Sequence, residues 1–307
     1  MSVPLVDFGP YNEHKHEANT QLAYALDDAL TSSGFVAVTN IGIDPLLRAQ
    51  TFANASEFFA QPSAVKKQFA YTDPEANFGY QPPLSETLEP GRPADIKQAF
   101  TMRNLLGRLQ DTNAWPDETF KRTAREFFEA CTQASFRILR VFALALDVPK
   151  DYFVELHSGE NVTMRYLHYP ASGYDVAQQQ MGAGAHTDYG AVTLLFQDEV
   201  GGLQINDRDG DWRDVPPIPN AVNLNTGDLM SHWSNGRYPS TEHRVLPLIG
   251  DRERQSVAFF TDPDNSTLVE CLPSCVAADR PAMYSPVLAG QHIQAKIDAS
   301  QSPELAL

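Results

Sequence analysis

The chain has 307 residues, 42% of them hydrophobic and 20% charged, enough to build either one large β-rich unit with helical additions or two average domains. Against 23 basic residues stand 39 acidic ones, a formal net charge of −16. That balance argues against a nucleic-acid partner and requires any anionic ligand to be met by a locally placed cation. No apolar run approaches the ~18 residues of a bilayer span, and "MSVPLVDFGPYNEHKHE" lacks the basic-then-apolar pattern of a secretory signal. A cytoplasmic protein with no membrane partner is expected. Cys131, Cys271 and Cys275 form no Cys-x-x-Cys pair, so packed, reduced thiols are expected rather than a disulfide framework or zinc knuckle.

In chain order, "VPLVDF" reads as a short strand. "NTQLAYALDDALTSSG" carries a helical stripe at Leu22, Ala25, Leu26, Ala29 and Leu30, with Gly34 placed to end it. "FVAVTN" reads as a strand. The segment "DPLLRAQTFANASEFFAQP" predicts a helix with Asp44 as N-cap, Pro45 at its first position and Pro62 past its end. From Thr72 to Arg92 the chain is rich in Pro, Gly and acidic residues; irregular segments of this length are usually functional. The clearest helix runs from Asp117 to about Leu146. Beyond residue 160, short runs punctuated by Gly, Asp and Asn predict strands near "NVTMRYLHY", "AVTLLFQ", "GLQIN", "WRDVP", "AVNLNTG", "EHRVLPL" and "RQSVAFFTD". A last helix is expected in "SPVLAGQHIQAKIDASQ".

The expected fold is mainly β with flanking helices: a jelly-roll core braced by N-terminal α-helices. Its expected parts are a mixed region over residues 1–115, a long bracing helix and connection over 116–158, a catalytic core over 159–270 and a helical extension over 271–307.

In "GAGAHTDYGAVTLLFQ", His186 and Asp188 stand two apart at the mouth of a strand and so share a face. His243, in "STEHRVLPL", can supply a third ligand from a spatially adjacent strand. Two His and one carboxylate on one face of a metal, with other positions open, is the arrangement of non-haem Fe(II) oxygenases. His-x-Asp alone is a weak signal. It gains weight from Arg254 and Ser256, two apart in "RERQSVAFF", which offer a guanidinium fork and a hydroxyl suited to a carboxylate. For Arg254 taken alone, the alternative is a core ion pair.

His186-Thr187-Asp188, His243 and Arg254-Gln255-Ser256 resemble the iron- and 2-oxoglutarate-binding signature of the isopenicillin N synthase-like dioxygenases, the bacterial small-molecule members looking nearest. "GFVAVTNIGI", "FFAQPSAVKKQFA", "GYQP", "RYLHYP" and "NTGDLMSHWSNGRYPSTEHRV" match in order and spacing, so the resemblance covers nearly the whole chain. It implies a double-stranded β-helix core, Fe(II) held by His186, Asp188 and His243, and 2-oxoglutarate held by Arg254, Ser256 and Tyr169, with O2 as the third reactant. Many plant relatives carry Asn two positions before this tyrosine; here the residue is Leu167.

The implied reaction oxidises a small organic molecule by hydroxylation, desaturation or ring chemistry, with release of succinate and CO2. An iron oxidase that dispenses with 2-oxoglutarate and a non-catalytic small-molecule-binding protein are the alternatives. By position, the substrate contacts are sought among Phe78, Tyr80, Phe100, Met102, Met164, Tyr166, Met181 and Trp233, with Arg92, Arg103 and Arg237 as candidates for a substrate carboxylate. His14, His16, His157 and His292 are read as solvated.

Overall fold

The computed structural model describes residues 3–107, 114–171, 180–248 and 250–300. After strand β1 (Leu5–Asp7), helix α1 (His16–Ser33) ends at Gly34 in the left-handed conformation. A side chain there would run into the carbonyl of Pro239, so only glycine serves both demands. Strand β2 (Phe35–Thr39) follows, then α2 (Pro45–Phe59), whose Asp44 carboxylate accepts from the Leu46 N–H at 2.9 Å. Helix α3 (Ser63–Lys66) and strands β3 (Gly79–Gln81) and β4 (Gln98–Arg103) precede the longest helix, α4 (Glu118–Ala145). Asp117 caps it by accepting from the N–H groups of Thr119 and Phe120.

The later strands are β5 (Thr163–Tyr169), β6 (Ala183–His186), β7 (Val192–Gln197), β8 (Leu203–Asn206), β9 (Trp212–Asp214) and β10 (Val222–Thr226). Short helix α5 (Asp228–Trp233) leads to β11 (His243–Val245), β12 (Arg254–Thr261), β13 (Leu268–Val269) and β14 (Val287–Leu288), and α6 (Ala289–Ser300) closes the described chain. Sequence periodicity had not signalled β3, β4 or β6. The first two lie within or beside the Pro- and Gly-rich stretch, and β6 is only "AGAH".

One large sheet has the order β1-β2-β10-β7-β12-β5-β4-β3, and a smaller one the order β6-β11-β8-β9. The N-terminal strands therefore belong to the same sheet as β5, β7, β10 and β12. Because successive side chains on a strand point to opposite faces, the large sheet has two distinct surfaces. Val36, Val38, Phe100, Met102, Met164, Tyr166, Leu194, Phe196, Val257 and Phe259 share one buried cluster with residues of α1, α2 and α4. The alternate residues Phe35, Ala99, Leu167, Tyr169 and Ala258 pack instead with Ala183, Leu203, Ile205 and Val245 of the small sheet. This second, thinner layer is the interior of the jelly roll, and the functional site opens at its mouth.

Two histidines expected in solvent are not there. His157 is buried with Nδ1 2.5 Å from the Phe153 carbonyl, and burial pushes its pKa down to about 4. His292 on α6 meets Asp228 at 3.2 Å. Among the described residues no helix is long and apolar enough to cross a membrane.

Candidate active site and metal centre

His186 ends β6 and His243 begins β11, and the two are direct partners in the antiparallel register. Their rings lie 4.4 Å apart, centroid to centroid. Asp188 follows two residues past His186, and its Oδ1 is 3.8 Å from His243 Nε2. One ligand atom from each of the three residues lies within 4.8 Å of the others.

The surroundings orient each group. His186 Nδ1 sits 2.7 Å from the Gly184 carbonyl and His243 Nδ1 3.1 Å from the Thr241 carbonyl. A carbonyl can only accept, so both Nδ1 atoms carry a proton and each Nε2 is the nitrogen left to face the cluster. Burial, and then the neighbouring His243, hold His186 well below the ordinary histidine pKa, so it is neutral near pH 7. Asn225, on the inner face of β10, donates to Asp188 Oδ2 at 2.6 Å, which leaves Oδ1 for the cluster. Phe35 packs edge-on against His243 at 5.3 Å. Two imidazole nitrogens and one carboxylate oxygen, each oriented by a partner of its own, are a donor set that fits Fe(II).

Arg254, at the start of β12, is 0% exposed. Its Nη1 donates to Ser256 Oγ at 3.1 Å, its Nη2 to Gln197 Oε1 at 3.3 Å, and its guanidinium lies 4.6 Å from the Tyr169 ring centre. Nε has no partner, and among the described residues no carboxylate pairs with it. The core ion pair considered for this residue is therefore absent from the described residues. A buried, unpaired guanidinium is costly unless an anion joins it. Tyr169 faces Arg254 across the strand pair, and Leu167 faces Ser256.

A cavity of about 130 Å³ opens over His186 and Asp188. Strands contribute Gln81, Thr101, Thr163, Arg165 and Phe260 to its wall, and Asp262 follows just past β12. The irregular segment supplies Asn77, Glu86 and Leu88, while α6 lowers Ile293 and Ile297 onto it. None of the eight aromatic and thioether candidates lines this cavity. Phe78, Tyr80, Phe100, Met102, Met164, Tyr166 and Trp233 are buried in the helix-facing core, and Met181 lies outside the lining, its carbonyl accepting from Ile96 N–H. The reason is parity: the chosen β3, β4 and β5 residues are neighbours of those that face the cavity, and adjacent residues point to opposite faces. The polar alternation Gln81, Thr101, Thr163, Arg165 was the signal that could have found the lining. Arg237 pairs with Asp27 and Arg92 with Glu89, and neither they nor Arg103 line the cavity.

Residues 159–263 match the 2OG-Fe(II) oxygenase superfamily, and residues 3–118 match the family described as non-haem dioxygenase in morphine synthesis, N-terminal. The 2-oxoglutarate-Fe(II) type oxidoreductase hxnY of Emericella nidulans is 34% identical over 301 residues, covering 92% of this chain and 86% of the relative. The chain belongs to the 2OG-Fe(II) oxygenase superfamily.

A full-length Neurospora crassa protein, solved in complex with alpha-KG and thymine, is similar to this oxygenase with a TM-score of 0.86 and 31% identity over 96% of both chains. JOX2, solved with 2OG, Fe and JA, is similar with a TM-score of 0.80 and 27% identity, over 99% of this chain and 90% of that one. The jelly-roll core with flanking helices is thus the fold of the superfamily. The protein is an Fe(II)- and 2-oxoglutarate-dependent dioxygenase acting on small molecules, with O2 as cosubstrate.

Proposed function

We propose that His186, Asp188 and His243 hold the Fe(II), that Arg254 with Ser256 and Tyr169 binds the distal carboxylate of 2-oxoglutarate, and that the cavity over His186 and Asp188 receives the substrate. With O2 and 2-oxoglutarate, the bound iron supplies the oxidising power for a substrate C–H bond, and succinate and CO2 are released. The chain's own part is orientation and exclusion of water. Asn225 and the two backbone carbonyls keep the ligand atoms aimed inward. Arg254 and Ser256 present two donors from one strand face, and Ile293 and Ile297 cover the cavity from α6.

The observation that carries the residue assignment is Arg254: fully buried, with an unpartnered Nε and no carboxylate among the described residues, on the inner face of the barrel that holds the triad. An anaerobic titration of the Fe(II)-loaded protein with 2-oxoglutarate tests it. A saturable visible charge-transfer band that is lost in Arg254→Ala is expected. A band unchanged by that substitution would remove Arg254 from the cosubstrate site.

The net charge of −16 supports a partner set without nucleic acid. Three unpaired thiols, Cys131, Cys271 and Cys275, support a reducing, cytoplasmic location.

A further inference from the structure

Resting on the site assignment above, we infer that Glu86 sets the charge class of the substrate: by neutralising Arg165 inside the cavity, it makes the site select uncharged molecules that offer a carbonyl acceptor and reject carboxylates.

Two arginines point into the barrel from neighbouring strands, and their surroundings are opposite. Arg254 on β12 meets no carboxylate among the described residues. Arg165 on β5 is the register partner of Ala258, four residues along from Arg254, or roughly 13 Å at the strand rise. Its Nη2 donates to both oxygens of Glu86 at 2.9 Å. Of these two cations, the first awaits an anionic ligand, and the second already has one built into the chain.

Glu86 cannot readily turn away. Its carbonyl accepts from the Asp95 N–H at 2.8 Å, which ties the irregular segment to the approach of β4. Its side chain also accepts from Gln81 Nε2 at 3.2 Å and pairs with Lys97 Nζ at 3.2 Å. Lys97 is in turn held by Asp95 at 2.6 Å, so it brings no spare positive charge. The Glu86 carboxyl is pushed up by burial, but Arg165 and Lys97 override this and keep it ionised well below the usual carboxylate range.

What remains free on Arg165 is limited. Nε donates to Thr101 Oγ1 at 3.1 Å, and Nη2 also donates to Gln81 Oε1 at 3.1 Å. Nη1 has no partner among the described residues and is left as a donor for a neutral acceptor. A second free group is the Asp262 carboxyl, which has no hydrogen bond among the described residues. It fits only because residue 190 is glycine; a side chain there would overlap Asp262 Oδ1.

The charge of the wall follows. Arg165 is the one Lys or Arg among the described lining residues, and Glu86, Asp188 and Asp262 are acidic. Counting the loaded centre does not reverse the sign, because the positive charges of Fe(II) and Arg254 are balanced by Asp188 and the two carboxylates of 2-oxoglutarate. An incoming carboxylate would lose its water, find the guanidinium already neutralised and face further acids. An uncharged molecule meets none of that repulsion and can accept from Nη1.

The test uses an isosteric pair, benzamide and benzoate, titrated calorimetrically into the anaerobic protein loaded with Fe(II) and 2-oxoglutarate. The charge-transfer band, recorded before either probe is added, checks the cosubstrate reading separately. Wild type is expected to bind benzamide at least about tenfold more tightly than benzoate. Glu86→Gln is expected to reverse that order, and Glu86→Gln with Arg165→Gln to abolish the gain for benzoate. Equal affinities, a preference for benzoate, binding of neither probe, or a folded Glu86→Gln protein with an unchanged ratio would each overturn the inference. If Glu86→Gln does not fold, the wild-type ratio decides.

Discussion

Asn225 Nδ2 donates to Asp188 Oδ2 at 2.6 Å, from the inner face of a strand in the large sheet to a carboxylate at the mouth of the small one. The bond does two things. It holds the carboxylate plane, and it occupies the oxygen that would otherwise compete for the iron proposed at this site. Asn225→Leu is expected to leave the fold intact and weaken Fe(II) retention about 10- to 100-fold, the usual cost of losing a group that orients a metal ligand. Equilibrium dialysis against Fe(II) measures this; unchanged retention would make the contact incidental.

His243→Ala removes the imidazole that β11 brings opposite His186, the third ligand of the proposed iron site. Loss of both stoichiometric iron and turnover is expected. A variant that keeps bound iron and near-wild-type succinate formation would take His243 out of the triad.

For Arg254 the comparison between two substitutions is more informative than either alone. On the proposed assignment, Arg254→Ala deletes a charge-assisted contact worth about 2–5 kcal/mol and should raise the 2-oxoglutarate requirement steeply. Arg254→Lys keeps the charge but not the planar fork, and should fall between the two. The measured quantity is the KM for 2-oxoglutarate at saturating iron. Equal KM values for wild type and both variants would mean that the cosubstrate is held elsewhere.

The two faces of the large sheet make separable predictions. Thr101 faces the cavity and Met102 faces the helices, although they adjoin in sequence. Met102→Ala should lower stability by about 2–5 kcal/mol through the cavity it leaves, with little change in substrate KM once folded. Thr101→Val should change substrate KM while the melting temperature moves little. The reverse pattern would show that the inner and outer faces have been exchanged.

Helix α6 covers the cavity and is anchored through Asp228, which meets Lys296 at 2.8 Å and His292 at 3.2 Å. Burial raises the Asp228 carboxyl, but hydrogen bonds from His292, Lys296 and Ser240 outweigh it and lower its pKa from 3.8 to about 2. A depressed folded-state value gives stability that is fully present above the unfolded pKa and is lost as pH falls through the folded one. Asp228→Asn should therefore destabilise the protein at pH 7 by at most about 2 kcal/mol. That difference should shrink as pH drops from 4 towards 2. Denaturant melts of both proteins across that range check it, and a gap that persists at pH 2 would point to a packing effect instead.

Local rules in the sequence were enough for much of the scaffold. Asp44-Pro45, Asp117 and Gly34 mark helix ends because unsatisfied N–H groups and a left-handed turn demand those residue types wherever they occur. Apart from β6, the strands from residue 161 to 262 were legible from alternation and turn residues, and the spacing of His186, Asp188, His243, Arg254 and Ser256 marked them as candidates. By contrast, Asn225 opposite Asp188, Gln197 beside Arg254 and Glu86 against Arg165 join residues far apart in the chain. No local propensity encodes such pairs; strand order and register decide them. The same holds for which alternate residue of β4 or β5 meets the cavity. Periodicity shows that two faces exist, but only the packing of α1, α2 and α4 on one side and the small sheet on the other determines which face is the core and which is the site.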